Sequence, residues 1–283
     1  MRIQTIDTGF FKLDGGAMFG VVPKSMWQNI NPPDENNMCT WAMRCLLVED
    51  GNRLILIDNG IGNKQEAKFF NHYFLHGDAS LEKSLHAAGV DFSDITDVLL
   101  THLHFDHCGG SINKDADGKL STAFPNATYW SHADHWKWAT EPNPREKASF
   151  LKENILPIQE SGQLQFVADH GQFSNNINIR FSSGHTDHMM LPIINYKEEK
   201  IAFCADLIPS SGHLGLAYVM AYDTRPLLSM SEKADFLTTA MQENWTLFFE
   251  HDPKVECAKI IAGEKGVKIA STHLLADLTE LKT

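Results

Sequence analysis

The stretch Thr101-His102-Leu103-His104-Phe105-Asp106-His107-Cys108-Gly109-Gly110 decides how the rest of the chain reads. It places four metal-capable side chains, His102, His104, Asp106 and His107, within six residues. In an extended segment, alternation aims His102, His104 and Asp106 to one side. A turn after Asp106 then brings His107 round to the same cavity, and Gly109-Gly110 permits the tight backbone. The apolar run Val98-Leu99-Leu100 just before it reads as a buried strand delivering the motif to a strand end.

The chemistry of these donors narrows the ion. Imidazoles and a carboxylate without thiolate suit Zn, Fe, Mn or Co better than a structural cysteine-zinc site. Four ligands in one string exceed what a single catalytic zinc takes while keeping an open position. That points to two divalent metal ions about 3.5–4 Å apart. Composition agrees with a small-molecule role. The chain has 283 residues, 36 acidic against 24 basic, and a formal charge of −12, so a polyanionic partner lacks its basic stripe. The same balance disfavours an anionic membrane surface. Histidine is abundant, at 14 residues. The five cysteines, Cys39, Cys45, Cys108, Cys204 and Cys257, are odd in number and form no Cys-x-x-Cys pair, which argues against a disulfide framework. The first residues show no leader pattern and no apolar run is long enough to span a bilayer, so the expected location is cytoplasmic.

Working outward, strands are expected at 3–13, 42–48, 53–58, 96–101 and 127–131 in the first half, with helices at 80–89 and 144–154. In the second half, strands are expected at 177–182, 191–196, 200–204, 246–250 and 267–270, with helices at 229–242 and 253–262. Two strand-rich halves, each with its helices, predict an α/β fold with two sheets packed together and helices outside. The segment 16–41 fits this least. It carries Met18, Phe19, Val21, Val22, Met26 and Trp27 with few regular signals, and reads as an apolar arm, either a pocket wall or a dimer contact.

The His-x-His-x-Asp-His string makes the chain resemble the metallo-β-lactamase superfamily. The resemblance spans nearly the whole chain and implies one domain over 1–283. Its fold is an αββα sandwich of two mixed β-sheets packed face to face, with helices on both outer faces. It also implies the remaining ligands. His185 in Ser183-Gly184-His185-Thr186 matches the third histidine of one metal, Asp206 in Phe203-Cys204-Ala205-Asp206 the bridging aspartate, and His251 in Phe248-Phe249-Glu250-His251 the last histidine of the other. His102, His104 and His185 then hold one ion, Asp106, His107 and His251 the second, and Asp206 bridges. Asp58 in Leu56-Ile57-Asp58-Asn59-Gly60 resembles the family's early aspartate, which orients a ligand rather than binding metal. The family's Gly-His-Thr-Pro-Gly-His is one residue shorter here, Gly184-His185-Thr186-Asp187-His188, so His188 is not carried over.

The stretch Gly15–Lys24 with Trp27, and Asp206-Leu207-Ile208-Pro209 followed by His213 and Met220–Asp223, look like a narrower group. It contains the quorum-quenching N-acyl homoserine lactone lactonases and methyl parathion hydrolase-like enzymes, and its members are commonly homodimers. The implied activity is a metal-dependent hydrolase acting on a lactone or ester by way of a bridging hydroxide, with Asp106 and Asp206 catalytic. Met18, Phe19, Trp27, Phe105, Met189, His213 and Tyr222 are the expected substrate pocket. Pro209 stands where many lactonases place an oxyanion-binding tyrosine, which leaves Tyr218, Tyr222 and His213 as substitutes. The alternatives are a phosphotriesterase-like organophosphate hydrolase, a glyoxalase II-like thioester hydrolase, and a non-catalytic metal-binding protein. Lys254, Lys259, Lys265 and Lys268, the candidates for holding glutathione, occur at ordinary density.

Overall fold

The computed structural model describes residues 1–264 and 266–280, so Lys265 lies outside the described residues. In chain order the long strand β1 (Arg2–Asp14) leads into two short helices, α1 (Gly15–Phe19) and α2 (Lys24–Trp27), and then β2 (Met38–Asp50) and β3 (Arg53–Ile57). After α3 (Ala67–Phe70), α4 (Leu81–Ala87) and β4 (Asp97–Leu99) comes the one-turn helix α5 (Phe105–Cys108). A small hairpin, β5 (Ile112–Lys114) and β6 (Leu120–Thr122), precedes β7 (Thr128–Ser131), α6 (Ala133–Thr140), α7 (Lys152–Glu160) and β8 (Leu164–Phe166). The second half contains β9 (Ile177–Ser182), β10 (Met189–Tyr196), β11 (Glu199–Phe203), α8 (Pro226–Gln242), β12 (Thr246–Phe248), β13 (Cys257–Gly263), β14 (Gly266–His273) and α9 (Leu275–Glu280). Among the described residues, no helix is long and apolar enough to cross a membrane.

The class is therefore α/β, with two mixed six-stranded sheets ordered β1-β2-β3-β4-β7-β8 and β14-β13-β12-β11-β10-β9. The first joins an antiparallel β2–β3 hairpin to parallel β3–β4, β4–β7 and β7–β8 pairs. The second is antiparallel except for β11–β12. The chain divides into two compact units, 1–9 with 43–173 and 10–42 with 174–283.

The first unit centres on Ile6, Leu56, Val98, Leu100, Tyr129, Trp136, Ile155 and Ile158. Leu103 and Cys108 belong to this same cluster. They anchor the histidine motif from below, and the Cys108 thiol donates to the Leu103 carbonyl at 3.3 Å. In the second unit β10 is buried along almost its whole length, Met189 and Met190 included, as a central strand requires.

Several expectations need correction. The motif is not extended through Asp106: His102 and His104 lie in a loop, and Phe105–Cys108 form α5. Successive side chains on that turn are separated by about 100°, not by strand alternation. The helix expected at 144–154 is instead α7, starting at Lys152, and α6 was not foreseen. Residues 253–262 are not helical; Cys257–Gly263 is a strand because its backbone is claimed by β12 on one side and β14 on the other. The apolar segment 16–41 is not an irregular arm throughout. It holds α1, α2 and the start of β2, with the Asp14 carboxylate accepting from the Ala17 amide to cap α1.

Candidate metal centre

In the first unit, the turn after β3 and the turn after β4 are laced together by one carboxylate. Asp58 Oδ1 accepts from the Thr101 amide at 2.7 Å, and Oδ2 accepts from the Thr101 hydroxyl at 2.6 Å and lies 3.0 Å from His107 Nδ1. Asp58 and His107 are both wholly enclosed. This fixes the His107 ring and turns its Nε2 toward Asp106, whose Oδ2 is 3.8 Å away. Next to this pair, His102 Nε2 lies 3.1 Å from His104 Nδ1. The His102 and His107 rings stand 3.9 Å apart.

The glycines after the motif are required by space. Gly109 has φ −62°, open to any residue. A Cβ there would fall 2.1 Å from the Ile61 carbonyl oxygen, and one at Gly110 would fall 2.3 Å from that of Asn59. Three further residues hold the motif without having been singled out in the sequence. His135 Nε2 accepts from the Leu103 amide at 2.9 Å. Buried Glu146 sets Oε1 3.6 Å from His104 Nε2 and is itself held by the Trp138 indole at 2.7 Å. Thr101 completes the grip on Asp58. None belongs to the His-x-His-x-Asp-His string, and only their packing reveals them.

In the second unit, the other expected ligands converge. Asp206 presents Oδ2 to His185 Nε2 and Oδ1 to His251 Nε2, each at 3.1 Å. The opposite nitrogens are tied back: His185 Nδ1 is 2.8 Å from Asp223 Oδ1, and His251 Nδ1 is 2.8 Å from the Ala42 carbonyl oxygen. Burial opposes charge on His185, but Asp206 and Asp223 outweigh it and push its pKa up to about 10. The carboxylates thus favour positive charge there. The backbone approaching His185 is gripped by Glu232, which accepts from the Ser182 hydroxyl and the Ser183 and Gly184 amides at 2.6, 2.8 and 2.9 Å. Neither Asp223 nor Glu232 was read as a site residue.

The pocket candidates fall in several places. Phe105 stays in the first unit, between His104 and Asp106, packed on Tyr73 at 4.6 Å and Phe69 at 5.5 Å. Phe19 stacks between Trp27 at 5.2 Å and His213 at 4.6 Å, and Met18, Phe19, Trp27 and His213 are all buried. His213 is fully engaged: Nδ1 lies 2.7 Å from the Ser210 hydroxyl and Nε2 2.9 Å from the Met18 carbonyl. Burial pulls its pKa down to about 4, so it is a neutral core group at physiological pH. Met189 is buried in β10, whereas Tyr222 is exposed. His188 lies 2.9 Å from Asp187, which also receives Arg225 at 2.7 Å.

These donors fit a metal. With Zn–N bonds of about 2.1 Å in tetrahedral geometry, two ligand nitrogens stand about 3.4 Å apart. The 3.1 Å between His102 Nε2 and His104 Nδ1 is close to that separation. Nδ1 of His107, His185 and His251 is occupied by an oxygen partner, which directs Nε2 of each toward an ion.

A family model described as the metallo-beta-lactamase superfamily matches residues 44–251. The chain belongs to that superfamily. A solved structure, a "probable metal-dependent hydrolase" from Staphylococcus aureus, is 28% identical and covers 96% of each chain with a TM-score of 0.87. AidC, a dizinc quorum-quenching lactonase solved with the product N-hexanoyl-L-homoserine, is 21% identical, covering 96% of this chain and 95% of its own, with a TM-score of 0.79; that likeness is one of fold. Anti-Pycsar protein Apyc1 of Bacillus phage 010DV004 is 25% identical over 164 residues, or 52% of this chain, and the match spans 62% of that protein's length. The superfamily match runs through the segments that carry all seven expected ligands, from His102 to His251.

Proposed function

We propose that the chain is a dinuclear metal-dependent hydrolase of lactones or carboxylic esters, resembling the N-acyl homoserine lactone lactonases, and that its two units act as one metallo-β-lactamase-like domain over 1–283. The observation that carries this is Asp206, with one oxygen directed at His185 and the other at His251. A carboxylate so divided would serve two ions rather than one. The donor count agrees. The first unit supplies two pairs, His102 with His104 and Asp106 with His107. The second supplies two more, His185 with one Asp206 oxygen and His251 with the other. Four pairs make two four-donor sets.

Two divalent ions, most simply Zn, supply a lowered water pKa and polarise the scissile carbonyl. The chain's own residues do the rest. Asp58, Asp223 and the Ala42 carbonyl hold three ligand rings in one tautomer and orientation. Glu146 lies behind His104. The Asp106 carboxylate would take the proton that the attacking water releases and pass it to the leaving alcohol oxygen. Phe105, with Phe69 and Tyr73 against it, offers an apolar surface beside the ligands for an acyl or aryl group.

The test is a panel of acyl homoserine lactones, aryl esters, a thioester and an aryl phosphotriester, run on zinc-, iron-, manganese- or cobalt-reconstituted protein. Lactone or ester turnover that needs added metal supports the reading. Turnover confined to the phosphotriester or thioester replaces the substrate class, and metal binding with no turnover at all makes the protein a metal binder. A homodimer built on the 16–41 segment is part of the same reading. Val21, Met26 and Ile30 expose their apolar side chains there, Val21 almost completely at 94%.

A further inference from the structure

The first unit contains a cavity of about 540 Å³, a volume suited to a small molecule, that uses none of the seven expected ligands. Residues from the segment 64–72, the β5–β6 hairpin and the start of α7 line it, and it is open to solvent. Its charge is mixed but not balanced. Lys64, Lys68 and Lys114 line it against Glu66 and Glu153. With both glutamates ionised, one positive charge remains, in a chain whose overall charge is −12. Phe69, Leu120 and Leu151 supply an apolar floor.

A buried lysine marks it as a built site. Lys64 is buried, and its ammonium donates to the Gly109 carbonyl. Burial pulls its pKa down to about 8.

We infer that this cavity binds an amphipathic organic monoanion, an acyl or aryl carboxylate, and that Lys64 links its occupancy to the Gly109 turn behind the metal motif. The carboxylate meets the lysines and the tail lies on Phe69, Leu120 and Leu151. One of the three Lys64 ammonium donors is held by the Gly109 carbonyl, so a ligand that engages another is tied through this lysine to the turn two residues after His107. The site stands independently of the reaction proposed above.

The experiment is calorimetric titration of the full-length, metal-loaded protein with octanoate, with octanol and acetate as controls. Octanoate is expected to bind at least about tenfold more tightly than either control. The Lys68→Met/Lys114→Met variant should weaken octanoate by a similar factor, and Leu151→Trp, which fills the cavity, should abolish binding. Asp206→Asn should leave octanoate affinity unchanged. Octanoate should also alter amide exchange at Gly109 and Gly110 in the wild type. Absence of octanoate binding, binding indifferent to both cavity variants, or binding lost in Asp206→Asn, which would place the carboxylate on the metal cluster, overturns the inference. Unchanged exchange at Gly109 and Gly110 overturns the link through Lys64.

Discussion

Asp223 Oδ1 stands 2.8 Å from His185 Nδ1, while His185 Nε2 faces Asp206 Oδ2 at 3.1 Å. One ring thus joins a supporting carboxylate to an expected ligand carboxylate, and in the proposed site the supporting partner sets which nitrogen is offered to metal. Replacing it should therefore loosen the metal without removing a ligand. Asp223→Asn is expected to weaken metal affinity about 10- to 100-fold. Competition with a chromophoric chelator reads this directly, and an affinity equal to wild type would show that Asp223 does not orient His185.

Asp206 lies nearer the chemistry. Asp206→Asn keeps the volume and one acceptor oxygen but removes the charge that faces both His185 and His251. Metal content by mass spectrometry is expected to fall below two ions per chain, and turnover on the responsive substrate to drop by more than about a hundredfold. Full retention of both would sink the dinuclear proposal.

Gly109 tests the packing of the motif rather than its ligands. In Gly109→Ala the new methyl meets the Ile61 carbonyl oxygen at 2.1 Å, a rigid backbone group that cannot swing away. The loss is expected to be about 3 kcal/mol, seen as a lowered denaturation midpoint. Gly89→Ala makes the contrast: nothing lies within 4 Å of its Cβ, and only its φ of +73° opposes the change.

His213 gives the stability a defined acid dependence. Its folded pKa of about 4 lies below the ordinary 6.5, because burial disfavours the charged ring. Between those values the unfolded chain binds a proton that the folded chain does not, so stability falls as pH falls. The contribution is present above pH 6.5 and is lost as pH drops through about 4. The expected loss is about 3 kcal/mol over that window. Denaturant melts of wild type and His213→Asn between these pH values should diverge in slope; parallel curves would exclude the buried neutral histidine.

For the proposed dimer, Val21→Lys with Met26→Glu puts charges on side chains that are exposed in the single chain. Sedimentation velocity should show the wild type as a dimer and the variant as a folded monomer. A monomeric wild type removes the dimer from the reading.

Much of the architecture was legible because local pattern and tertiary demand agreed. The β2–β3 hairpin around Gly51-Asn52 and the Ser80-capped α4 announce themselves, and the helix expected at 229–242 is α8, which begins three residues earlier at Pro226. Residues 253–262 misled because Pro253, Ala258 and Ala262 suit a helix start and interior, while pairing with β12 and β14 makes the strand. The pocket candidates were the least legible. An aromatic reads the same in sequence whether it lines a cavity or, like Phe19, stacks between Trp27 and His213.

The amino-acid sequence alone determined the superfamily, the α/β class, the donor types and their order along the chain, because a run of four metal-capable side chains in six residues has few other uses. Only the tertiary structure decided which nitrogen each histidine offers and what holds it there. Asp58 on His107, Asp223 on His185, the Ala42 carbonyl on His251 and Glu146 behind His104 come from positions 38 to 209 residues away. Hydrogen bonds between such distant residues exist only once the backbone is folded, and no local spacing encodes them.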